Sequence, residues 1–197
     1  MKQSNSIRGA FQMPTPMSIS GRSSSITAAF VSSIIPRIEP SDDEIRTALN
    51  ILEMSPNEVQ CAYCGANATE WDHLRPLVQN QTPTGFISEI RNLVPSCGKC
   101  NQSKGNKYWK DWITGDAKLS PKSQHIPDLQ KRIERLEEYE SWSNIEPLKL
   151  YSMVDDGVWE EHWTNWSNLL KAMAKAQSHA IKLREAIEER TRTLLRK

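Results

Sequence analysis

Apolar positions along this 197-residue chain change period several times, and each change marks an element. In "SSSITAAFVSSII", Ile26, Ala29, Phe30, Val31 and Ile34 share one face at helical spacing, and Pro36 stops the run. "SDDEIRTALNILEM" predicts a second helix. Ser41 and Glu44 have capping-box spacing, and Ile45, Leu49 and Leu52 follow at intervals of four and three. From Val59 to Pro95 the helical period is lost, and Gly, Pro, Asn and Thr break the segment into short strands and loops. "CNQSKGNKYWKDWI" can start a helix, with Gly105 as its weak point, and "TGDAKLSPKSQ" reads as a linker. "IPDLQKRIERLEEYESW" puts Leu129, Ile133 and Leu136 on one side of a helix. In the last segment Trp159, Trp163, Trp166, Leu170, Met173, Ala180, Ile187, Thr191 and Leu194 form a near-heptad seam, interrupted by Gln177 and Arg184. A continuous helix there spans roughly 50 Å at 1.5 Å per residue. The expected parts are an arm over 1–22, a helical segment over 23–57, a small strand-and-loop unit over 58–114, and a helical segment over 115–197 with a long terminal helix.

Composition narrows the classes. Hydrophobic residues make up 38% and the formal net charge is +1, so no global field demands a polyanionic partner. The charge is uneven. Arg91 to Lys110 holds five basic residues and no acid, and Asn168 to Lys197 holds eight basic and three acidic. Such islands suit local phosphate contact or a solvated helix face; if the long helix is a DNA-binding arm, Lys171, Lys175, Lys182 and Arg184 are its contact residues. "ITAAFVSSII" is too short and too Ser-broken to span a membrane. The Ser-rich beginning reads as an arm rather than a transit peptide, and the expected location is cytoplasmic. Gly-rich phosphate loops, Gly-x-Ser-x-Gly and His-Glu-x-x-His are absent from the sequence.

The chemistry lies in the middle. Cys61 with Cys64 and Cys97 with Cys100 form two Cys-x-x-Cys pairs, the four thiolates that a closed tetrahedral zinc site needs. Four thiolate ligands leave no open position, so this metal is structural. Between the pairs stand Asp72, His73, Arg75 and Asn92, and Asn101 and Lys104 follow the second pair. Asp and Asn oxygens suit a hard divalent cation such as Mg2+, and a neutral His suits a general base. With flanking Arg and Lys, the combination suggests phosphodiester hydrolysis. His125, His162 and His179 read as surface or cap residues. Trp71, Trp109 and Trp112 read as packing residues, and Trp159, Trp163 and Trp166 as core or subunit interface.

"CAYC", "DHLRP" and "NLVPSCGKCNQSK" together resemble the HNH endonucleases, the zinc-containing branch of the ββα-metal nucleases, over about 59–112. The resemblance implies an α+β fold in which a small zinc-stapled ββα-metal nuclease unit is embedded in mostly helical N- and C-terminal extensions. It implies His73 as general base, Asp72 and Asn101 as ligands of a catalytic Mg2+ or similar ion, and Asn92 as the residue holding the loop that carries His73. Asn101 stands where the family often has its last His. Arg75 and Lys104 become candidates for DNA phosphate contacts. The implied partner is double-stranded DNA. The preferred reading is a prokaryotic type II restriction endonuclease that works as a homodimer and leaves 5'-phosphate and 3'-hydroxyl ends. The alternatives are a phage or homing-type nicking nuclease and a non-catalytic zinc-stabilised DNA-binding protein.

Overall fold

The computed structural model describes residues 11, 13–142 and 145–195; half of the expected arm, 1–10 and 12, lies outside them. The fold is α+β, as the resemblance implied, with helical extensions flanking a small antiparallel sheet. The described residues divide into two compact units. One runs from Thr27 to Trp159, and in the other the residues up to Ile26 join those from Glu160 onward.

In the larger unit, helix α1 (Ser23–Ile34) buries Thr27 and Val31 four residues apart, with Ile35 continuing that line. Helix α2 (Asp42–Ile51) starts on the expected capping box. Ser41 Oγ accepts from the Glu44 N–H at 3.3 Å, and Glu44 Oε2 accepts from the Ser41 N–H at 2.9 Å. Strand β1 (Glu70–His73) pairs antiparallel with β4 (Leu93–Ser96), setting Asp72 opposite Val94 and His73 opposite Leu93. Between them a hairpin pairs β2 (Val78–Gln79) with β3 (Thr82–Pro83), turning through Asn80 and Gln81 at positive φ. Helix α3 (Gly98–Lys104) follows the second cysteine pair directly and ends at Gly105, whose φ of +52° lies in the region that favours glycine. That stop makes α4 (Trp109–Ile113) a separate helix. Helix α5 (Leu129–Ser141) comes next.

One core ties these elements together. Ala48 and Leu52 from the α2 region meet Tyr63, Leu74 and Val94, Trp109, Trp112 and Ile113 of α4, and Leu136 and Tyr139 of α5. Trp109 and Trp112 are buried, as their spacing suggested. The ring of Trp112 meets that of Tyr63 edge-on at 5.1 Å. Trp71 differs from its expected packing role. Side chains alternate along a strand, so Trp71 points away from the face shared by Glu70 and Asp72 and stays 53% exposed.

The second unit is dominated by α6 (Asp156–Leu195), a 40-residue helix about 60 Å long at 1.5 Å per residue. Its seam residues from Trp159 to Ile181 are half-buried, and Trp163 meets Trp166 edge-on at 6.0 Å. Gln177, which interrupts the apolar seam, has a function there. Its Oε1 accepts from the Ile19 N–H at 2.6 Å and from Ser18 Oγ at 3.2 Å, fastening the end of the arm to the helix. Among the described residues no helix is long and apolar enough to cross a membrane.

Candidate active site

The cysteine pairs converge. Cys61–Cys64 form a knuckle in which the Gly65 N–H bonds Cys61 O at 2.8 Å and Gly65 takes φ +77°. Cys97 precedes α3 and Cys100 lies in its first turn. All four Sγ atoms lie within 4.8 Å of one another, and Cys64 and Cys97 are 3.7 Å apart. A zinc–sulfur tetrahedron with bonds of about 2.3 Å has edges of about 3.8 Å, so the quartet fits zinc. None of the four cysteines forms a disulfide. Hydrogen bonds to Cys61 and Cys64, then burial, hold the Cys100 thiol well above its ordinary range. Such a cluster needs a cation before all its members can ionise. The quartet joins the Cys61 loop to the start of α3 and so closes the end of the β1–β4 pair where Glu70 faces Ser96, leaving His73 and Leu93 at the far end.

That frame places Asp72 and His73 at the end of β1 and Asn101 on α3. All three line one cleft of about 180 Å³, to which α1 contributes Ala28 and Ser32. Asp72 is buried at 4% exposure; Tyr63 donates to its Oδ2 at 2.6 Å, and Lys104 Nζ lies 3.1 Å from the same oxygen. Burial pushes the Asp72 carboxyl upward, opposed by Lys104 and Tyr63. His73 Nε2 is 2.8 Å from Ser88 Oγ. Burial, and then the nearby Lys104 charge, lower its pKa to about 4, so the ring is neutral near pH 7 and able to accept a proton. Asn101 donates through Nδ2 to Glu70 Oε2 at 2.6 Å, which leaves its carbonyl oxygen as the acceptor. A carboxylate has about four acceptor directions. The donor set of Asp72 and Asn101 therefore fits a hard divalent cation in the cleft.

Asn92 is fully buried and bridges two loops. Its Oδ1 accepts from the Arg75 N–H at 2.8 Å, and its Nδ2 donates to Arg75 O at 3.2 Å and Ile87 O at 3.1 Å. It thus fixes the chain two residues after His73 against the chain one residue before Ser88.

The two basic candidates are placed differently from a phosphate-contact role. Lys104 is fully buried. Its ammonium bonds His73 O at 2.7 Å and pairs with Asp72, with Gly105 O at 3.4 Å, which occupies all three of its hydrogens. Arg75 is 13% exposed, donates to Glu140 O at 3.0 Å and stacks its guanidinium 5.6 Å from the Phe86 ring centroid. Sequence spacing names a helix position but not the side of α3 that faces the core. Glu70, Tyr63 and Ser88 escaped the sequence reading. Only Glu70 left a signal, two residues before Asp72 and so on the same strand face.

Residues 61–107 match the family described as HNH endonuclease. A CRISPR-associated endonuclease Cas9 from Corynebacterium diphtheriae is 42% identical over 57 residues, covering 27% of this chain. The chain spans only 5% of that relative's length. No solved structure matches the chain.

Proposed function

We propose that this chain, which carries an HNH endonuclease domain at residues 61–107, is a metal-dependent endonuclease that hydrolyses phosphodiester bonds in double-stranded DNA. One observation carries the reading: Asp72, His73 and Asn101 line a single cleft beside a four-cysteine frame that fits zinc. His73 takes the proton from the attacking water. Asp72 and Asn101 would hold the catalytic ion, Mg2+ or similar, which would supply Lewis-acid stabilisation of charge developing on the phosphate. Asn92 keeps the two loops around His73 in register. The products are 5'-phosphate and 3'-hydroxyl ends.

At the finer level, the reading is a type II restriction endonuclease acting as a homodimer in a prokaryotic cytoplasm. One cleft per chain and two strands to cut favour a two-fold pair. The support is α6. None of its described residues is fully buried, and its seam continues through Ile187 and Leu194, which are 56% and 65% exposed.

The test is supercoiled plasmid incubated with the zinc-loaded protein, with and without Mg2+. Linear product with fixed ends is expected. His73→Ala should lower the rate by about 10²-fold or more while DNA binding persists. Cleavage by that variant at the wild-type rate refutes the assignment of the base. Failure to cut under any divalent ion would leave a zinc-stabilised DNA-binding protein.

A further inference from the structure

We infer that Ser88 is a positioning residue for His73: its hydroxyl accepts the hydrogen bond from Nε2–H, fixes that tautomer, and leaves Nδ1 as the atom that takes the proton from water. The inference rests on the reading of His73 as general base. Ser88 Oγ lies 2.8 Å from Nε2, and among the described residues no group bonds Nδ1.

The tautomer follows from counting protons. A neutral imidazole has one N–H and one lone pair. If Ser88 donated to Nε2, that lone pair would be used and the proton would sit on Nδ1. The ring would then offer substrate water no acceptor. With Nε2–H donating to Ser88, Nδ1 keeps its lone pair, and His73 lines the cleft where water and phosphate would meet it. When Nδ1 gains a proton the ring becomes an imidazolium. The Nε2–H bond to the hydroxyl is then charge-assisted and stronger, so Ser88 favours the product of proton transfer over the starting ring.

Ser88 can act this way because its own position is fixed from three sides. Its carbonyl accepts from the Ile38 N–H at 2.9 Å, and its N–H donates to Pro36 O at 3.1 Å. The Ile87 carbonyl just before it accepts from Asn92 Nδ2. Pro36 and Ile38 lie outside the residues that match the nuclease family, so part of the N-terminal extension belongs to the support of the catalytic ring.

The experiment has a readout that needs no cleavage. Long-range 1H–15N correlation on the full-length, zinc-loaded, 15N-labelled protein without Mg2+ reports which nitrogen of each histidine carries the proton, and His73→Ala assigns the signal. The expected result is an Nε2–H ring in wild type, a tautomer mixture in Ser88→Ala, and return to Nε2–H in Ser88→Thr. Single-turnover cleavage at saturating DNA should fall roughly 3- to 10-fold in Ser88→Ala, the scale of one hydrogen bond, with unchanged DNA affinity and recovery in Ser88→Thr. An Nδ1–H ring in wild type overturns the inference, as does a Ser88→Ala protein with a pure Nε2–H ring and the wild-type rate. Unimpaired cleavage by His73→Ala sinks the base reading instead, and the tautomer measurement still stands.

Discussion

Asn92 offers a comparison in which shape is held constant and a single hydrogen-bonding group is reversed. The side chain is fully buried, with one acceptor contact and two donor contacts, to Arg75 O and Ile87 O. Asn92→Ala strands the Arg75 N–H and frees two carbonyls. One unsatisfied buried donor costs about 1–3 kcal/mol, and with the lost carbonyl bonds the total is about 3–5 kcal/mol. Asn92→Asp keeps the acceptor for Arg75 but sets a carboxylate oxygen against two carbonyl oxygens. The Asp carboxyl must therefore stay protonated in the folded state, its pKa raised above the unfolded value of about 3.9. A raised folded pKa means that stability is fully present below the unfolded pKa and is lost as pH rises. The deficit of Asn92→Asp relative to wild type should grow by up to about 1.4 kcal/mol per pH unit above pH 4 until the folded pKa is reached. Urea unfolding at fixed zinc, at pH 5.5 and 7.5, measures this as the difference between the two proteins, in which the thiol and His titrations cancel. The expected widening is about 2 kcal/mol or more. A deficit for Asn92→Asp that is flat with pH, or smaller than that of Asn92→Ala at pH 7.5, refutes the donor assignment of the Asn92 amide.

Three further perturbations probe the rest of the unit. Cys97→Ser should lower bound zinc and stability together, because structural zinc contributes directly to folding; a folded, active, zinc-free variant would sink the staple. Lys104→Met removes the ammonium that faces Asp72 inside the core. It should destabilise the fold by about 3–5 kcal/mol while leaving the salt dependence of DNA binding unchanged. A shallower salt slope would instead make Lys104 a phosphate contact. Truncation after Tyr151 removes α6. Light scattering should then show loss of the dimer, and plasmid cleavage should lose its fixed ends. A full-length protein that stays monomeric on DNA and still makes double-strand breaks refutes the paired reading.

Much of this molecule could be read residue by residue, because those features depend on local chemistry. The capping box at Ser41 and Glu44, the weak point at Gly105, the inward line ending at Leu136, and the two cysteine pairs each require only a few neighbouring positions. The family likeness of 61–107 is also a local pattern, a set of residue types at set spacings. Contacts between distant segments were not legible. Ser88 lies fifteen residues beyond His73, in a stretch without regular period, and reaches the ring only because Asn92 and the Pro36–Ile38 segment hold its loop there. Lys104 and Arg75 are basic residues of the kind usually solvated. The twist of α3 and the approach of α5 turn one toward Asp72 and the other toward Glu140. Sequence spacing specifies the elements and the ligand types, whereas the direction of a long side chain depends on which partners the completed core brings within reach.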